Sequence, residues 1–181
     1  MLEADISEYD KRELLHMSNI IRVAGNELVA VMKKQYEQLL RTKRYRHLRD
    51  MYVKSKKAED KKKISAITAE MTEMQKSYHV TWEFCRKSMI EINQKYNINS
   101  IFALSKAEDV WQAVEKCLFS DGKTIHFKKY GDYPEIRAKQ ANRGIIISAD
   151  DDGIRLKIGK VKLRPIINKP KHTKTRKGNT I

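Results

Sequence analysis

From Leu14 to Val31 the apolar residues return at intervals of three and four, at Leu14, Met17, Ile21, Ala24, Leu28 and Val31, and Leu39 follows eight residues on. That spacing lays about one side chain per turn along a stripe of an α-helix, and a strand with its two-residue period cannot use it. Ser7 stands where an N-cap is needed, so the spacing predicts a helix from there to about Arg41. Gly25 interrupts the stripe at a cost of about 1 kcal/mol against alanine and is expected to mark close packing against another helix.

From Thr42 to Lys63 the stripe thins to Tyr45, Leu48, Met51, Tyr52 and Val53 while basic residues accumulate. A second seam runs through Ile64, Ile67, Met71, Met74 and Tyr78, then resumes one residue out of step at Trp82, Cys85, Met89, Ile92 and Tyr96. Two long helices, each with a seam, are expected to pack antiparallel. Asn97 to Asn99 reads as a break. Ser105-Lys106-Ala107-Glu108 has the form of a capping box, opening a helix that presents Val110, Trp111, Val114 and Leu118 and runs through Phe119. Ser120-Asp121-Gly122 ends it.

The period then changes to two. Ile125 and Phe127 alternate with polar residues, Ile145 to Ile147 form a short apolar run, and Ile154, Leu156, Ile158, Val161 and Leu163 occupy strand-like positions. Turns are expected at 132–134, 151–153 and 159–160. The fold class is therefore α+β with its elements segregated: long antiparallel helices forming a bundle over 1–119, a small antiparallel β module over 120–168, and a disordered basic tail over 169–181.

The 181 residues are enough for such a core without disulfides or metal. Cys85 and Cys117 lie in apolar helical surroundings and read as small, reduced core residues. Glu3, Asp5, Glu8, Asp10 and Glu13 at the start do not resemble a secretory signal, and no run approaches the ~18 apolar residues of a membrane span. A soluble, cytoplasmic protein is expected, with no membrane partner.

Charge narrows the function. The net +15 divides into −3 over 1–32, +9 over 33–63, −1 over 64–154 and +10 over 155–181. Two separated basic blocks gain from neutralising phosphates and releasing counterions, which makes nucleic acid the leading partner. The blander reading is a solvated charged face with a disordered tail.

Catalytic chemistry is sparse. Asp150-Asp151-Asp152 before Gly153 has the composition of a tight turn between strands. His16, His47, His79, His126 and His172 are scattered, without metal-ligand spacing, and no phosphate-binding glycine loop or nucleophile motif occurs. No cofactor, metal or catalytic residue is expected. The residues expected to contact nucleic acid are Arg41, Lys43, Arg44, Tyr45, Arg46, Arg49, Lys54, Lys56 and Lys57, with Lys128, Lys129, Tyr130, Arg137, Lys139 and Arg143 as a second surface. Guanidinium groups can take phosphate with two hydrogen bonds and tyrosines can stack on unpaired bases, a combination suited to structured RNA or an RNA–DNA hybrid.

Residues Asn99-Ser100, then Val110-Trp111-Gln112-Ala113-Val114-Glu115-Lys116-Cys117-Leu118-Phe119 and Gly122-Lys123-Thr124-Ile125-His126-Phe127-Lys128-Lys129-Tyr130-Gly131, form a helix running through a Leu-Phe turn into a basic strand. This resembles the N-terminal half of TnpB-type transposon proteins and of compact type V CRISPR effectors. Gly144-Ile145-Ile146-Ile147 and Gly153-Ile154-Arg155-Leu156-Lys157-Ile158-Gly159 are similar to strands of their wedge domain. The resemblance spans 10–165 and implies a recognition-lobe-like helical part, a wedge-like β part and RNA-guided DNA recognition, in which base pairing reads sequence and protein holds the backbone. The RuvC-like carboxylates and zinc ribbon of those nucleases have no counterpart here, so cleavage does not carry over and a separate nuclease domain or subunit is implied. Such proteins also begin with a strand, for which 2–6 is a poor candidate. A fragment, a truncated paralogue and a split subunit all fit.

Two other readings stay open. The seams could form a homodimeric coiled coil whose basic regions grip DNA as a regulator or accessory factor. Alternatively, Asp150 to Asp152 could join Glu108 or Asp109 in a metal-dependent nuclease.

Overall fold

The computed structural model describes residues 3–120, 122, 124–138, 143–150, 153–159 and 161–166. They form β1 (Glu3–Asp5), α1 (Glu8–Arg41), α2 (Lys43–Lys57), α3 (Lys61–Ser77), α4 (Trp82–Tyr96), α5 (Ser100–Phe119), β2 (Ile145–Asp150), β3 (Gly153–Ile158) and β4 (Val161–Ile166). The α+β expectation holds, and the expected tail lies outside the described residues.

Helix α1 begins where the sequence places it: the Ser7 hydroxyl accepts from the Asp10 N–H at 3.0 Å. Its buried stripe then slips by one position beyond Leu28, to Val29, Met32, Tyr36 and Leu39, so Val31 is half-exposed. The two long helices of the sequence reading are four helices. Both missed breaks end on a residue other than glycine in the left-handed region, Glu59 at φ +54° and His79 at φ +56°. The following N–H reaches back five residues, from Asp60 to the Ser55 carbonyl at 3.1 Å and from Val80 to the Gln75 carbonyl at 2.8 Å. Asp60 and Thr81 then cap α3 and α4 through their side chains.

The expected capping box at 105–108 is a second correction. Asn99 caps α5 by accepting from the Ile101 N–H, and Ser105 is buried one turn inside the helix.

Contacts fix the directions. Thr42 bonds Tyr78 and Tyr45 bonds Gln75, so α2 and α3 run antiparallel. The Cys85 thiol donates to the Ala107 carbonyl and Asn93, two turns on, donates to the Ile98 carbonyl just before α5, so α4 and α5 are antiparallel too. Gly25 lies against Lys106 and Tyr36 donates to the Cys117 carbonyl, which makes α1 and α5 parallel. The apolar stripe of α1 is therefore covered by helices of its own chain. Cys85 and Cys117 are buried in that core, as expected.

The sheet has the order β1-β4-β3-β2, all antiparallel. Its first strand was discounted in sequence, because three residues carrying two acids show no apolar alternation; backbone pairing of Glu3 to Asp5 with Ile166 to Arg164 makes it. The N-terminal end of the expected helical part thus belongs to the sheet. Gly159 (φ +59°) donates its N–H to Gly144 O at 2.9 Å, and a Cβ on Gly144 would stand 2.9 Å from the Phe102 ring, so the β module seats on α5 and α1 through glycine.

Candidate nucleic-acid interface

Tyr45, Leu48, Tyr52 and Ser55 turn α2 toward the core. That orientation decides where its cations go. Lys43, Arg46, Asp50, Lys54 and Lys57 recur at threes and fours on the opposite face, all exposed, over about 21 Å at 1.5 Å per residue. Among the described residues none of Lys43, Arg46, Lys54 and Lys57 forms an ion pair, and Asp50 is the one acid on that face. Arg41, also exposed, closes the α1 end and lines a shallow recess with Arg46.

The flanks of α2 differ. Arg44 points to α3, where its Nε and Nη2 reach the two Glu70 oxygens at 2.6 and 2.7 Å; this fork holds the Glu70 carboxyl below its usual range and compensates the Arg44 charge. Arg49, Lys56 and Lys57 face the end of α5 and rim a groove of about 540 Å³ floored by Tyr52, Leu118 and Phe119. Tyr52 meets Phe119 edge-on at 6.2 Å and Lys56 lies 5.9 Å over the Tyr52 ring. Cations above an aromatic floor are what an unstacked base needs.

Tyr45 is corrected as a stacking residue. It is fully buried, its hydroxyl accepts from Gln75 Nε2 at 3.1 Å, and burial pushes its phenol up to about 12.

The second surface rests on a side-chain clamp. Residues 124–130 form no ladder, contrary to the strand expected at Ile125 and Phe127, because Asn26 of α1 takes the place of a neighbouring strand. Its Oδ1 accepts from Lys128 N–H and its Nδ2 donates to Lys128 O, each at 2.9 Å. Ile125 is buried while Phe127 is exposed beneath Lys33. Lys128, Lys129 and Tyr130 are held outward, with Arg22 5.7 Å from the Tyr130 ring centroid. Arg143 is exposed as well. Arg137 departs from the expectation, because Asp109 binds its guanidinium and compensates its charge. Lys139 lies outside the described residues.

Sequence reasoning missed a third surface. The β3–β4 register sets Leu156 opposite Leu163 and Ile158 opposite Val161 on the inner face, and this places Lys157 opposite Lys162 on the outer face, with Arg155 on the same side. All three cations are exposed. The signal for it is the polar half of the Arg-Leu-Lys-Ile alternation at 155–158, which faces away from the apolar half.

Of the acids in the nuclease reading, Asp109 is engaged by Arg137 and lies 3.8 Å from Lys106, while Asp151 and Asp152 fall outside the described residues. The α1 seam needed by a coiled-coil dimer is buried inside one chain. Among the described residues no helix is long and apolar enough to cross a membrane. No family model, curated protein or solved structure matches this chain.

Proposed function

We propose that this chain is a non-catalytic nucleic-acid-binding module that holds structured RNA or an RNA–DNA hybrid by its phosphate backbone. The observation that carries the reading is the outer face of α2, where Lys43, Arg46, Lys54 and Lys57 are exposed and, among the described residues, form no ion pairs while the opposite face is locked into the core. A rigid helix presenting cations along about 21 Å matches the closely spaced charge of a nucleic-acid backbone better than it matches a small ligand. The Tyr52–Phe119 groove and the exposed Tyr130 add flat surfaces for unpaired bases.

The reading extends to an RNA-guided system of the TnpB type, acting with a separate nuclease domain or subunit. Strand β1 supports this extension, because the resemblance calls for an initial strand.

Binding of a labelled RNA hairpin and an RNA–DNA hybrid across a salt series tests the proposal. Reversal of Lys43, Arg46, Lys54 and Lys57 to glutamate is expected to weaken binding at least tenfold and flatten the salt slope by roughly three. Unchanged affinity and slope would overturn it.

A further inference from the structure

Beneath the clamped 124–128 segment lies a pocket of about 310 Å³. Lys106, Asp109, Gln112 and Lys116 wall it from α5, with Asn26 and Lys128 opposite. Lys106 is an unusual occupant. Its side chain is 9% exposed, and its stem lies so close over Gly25 that a Cβ there would fall 2.4 Å from Lys106 Cε. Among the described residues no sealed side-chain nitrogen lacks a hydrogen-bond partner, so behind its buried stem the Lys106 ammonium opens into the pocket. Among the described residues its one ion-pair partner is Asp109, with an oxygen 3.8 Å away, beyond hydrogen-bond range, and Asp109 is already bound by Arg137. Burial, and then the charges of Lys128 and Arg137, hold the Lys106 ammonium below its usual range.

Three lysines, Lys106, Lys116 and Lys128, thus line a partly enclosed space of mixed polar and apolar walls, and among the described residues its one carboxylate, Asp109, is already engaged by Arg137. We propose that this pocket binds a phosphate monoester, with Lys106, Lys116 and Lys128 supplying counter-charge and Asn26 and Gln112 supplying amide hydrogen bonds. A compact dianion with three acceptor oxygens matches several point-charge donors converging from two sides. The volume is at the small end of ligand sites, large enough for a phosphate with a sugar but not for a folded strand. The site is separate from the α2 face, so either assignment can fail without the other.

Calorimetric titration of the full chain with inorganic phosphate and with adenosine 5′-monophosphate tests it. Saturable binding is expected, weakened tenfold or more by Lys106→Met, whose unbranched stem still covers Gly25. Lys128→Gln, which leaves the backbone clamp intact, should weaken it severalfold, and the α2 reversal should leave it unchanged. Absence of saturable binding by both ligands, or wild-type affinity in both the Lys106→Met and Lys128→Gln proteins, overturns the proposal. Displacement of phosphate by a 5′-phosphorylated RNA octamer but not by its 5′-hydroxyl counterpart assigns the site to a strand end; displacement by the nucleotide alone assigns it to a free ligand.

Discussion

Asn26 satisfies both backbone groups of Lys128, 102 residues away, and so acts as a strand edge made from one side chain. Removing it leaves the Lys128 N–H to water, while the carbonyl keeps the Arg22 guanidinium, whose Nη1 donates to it at 3.2 Å. Asn26→Ala is expected to cost about 1 kcal/mol of stability and to abolish hydrogen-exchange protection of the Lys128 amide, while α5 amides keep theirs. Unchanged protection at Lys128 would show that Ile125 burial alone docks the segment.

Gly25 and Lys106 make a coupled pair. In an open helix Gly25→Ala would gain about 1 kcal/mol from propensity. Here the new Cβ would meet Lys106 Cε at 2.4 Å and Cγ at 3.1 Å, displacing a buried side chain, so a net loss of about 1–3 kcal/mol is expected. In a Lys106→Ala background the same change should become stabilising. Denaturant unfolding of the four proteins measures the sign reversal, and additive effects would remove the contact from the argument.

How much of this was legible in the sequence varies with the kind of signal. The α1 limits, the Asn97–Asn99 break, the end of α5 and the last three strands follow from caps and periodicity, and a glycine interrupting the α1 stripe signals the close approach of Lys106 to Gly25. The breaks at Glu59 and His79 were hidden because the left-handed positions carry no glycine. Strand β1 was hidden because its pairing is a backbone property. At the site, Lys43, Arg46, Lys54 and Lys57 were legible as a basic block, but their separation from Arg44 and Tyr45 was not. It depends on which face of α2 is buried and on where Glu70 and Gln75 of α3 fall. Lys106 gave no signal, since only the fold buries it.

The Cys85 thiol donates to Ala107 O at 3.6 Å, and burial pushes it up to about 12 from an ordinary 9.0. Between those values the unfolded chain has lost the thiol proton and the folded chain keeps it, so stability falls as pH rises through that window, by about 1.4 kcal/mol per unit. Tyr45 adds the same tendency above 10.0, whereas Lys106, held below 10.5, acts in the opposite sense. The clean comparison is therefore between wild type and Cys85→Ala. From pH 8 to pH 10 wild type is expected to lose about 1.4 kcal/mol more than the variant. Parallel pH profiles in denaturant unfolding would mean that water reaches the thiol.

Lys157 opposite Lys162 is a costly pair for a sheet of this size, since like charges directly across a strand pair repel. If the outer face exists to meet phosphates, the cost is offset on binding and the free protein carries it alone. Lys157→Glu should then move two observables in opposite directions: a cross-strand ion pair with Lys162 raises stability by about 0.5 kcal/mol, while affinity for the RNA hairpin falls severalfold and the salt slope flattens. Lys157→Gln should fall between on both axes. A surface used merely for solvation would gain the stability and lose no affinity, so thermal unfolding and binding measured on the same three proteins separate the two cases.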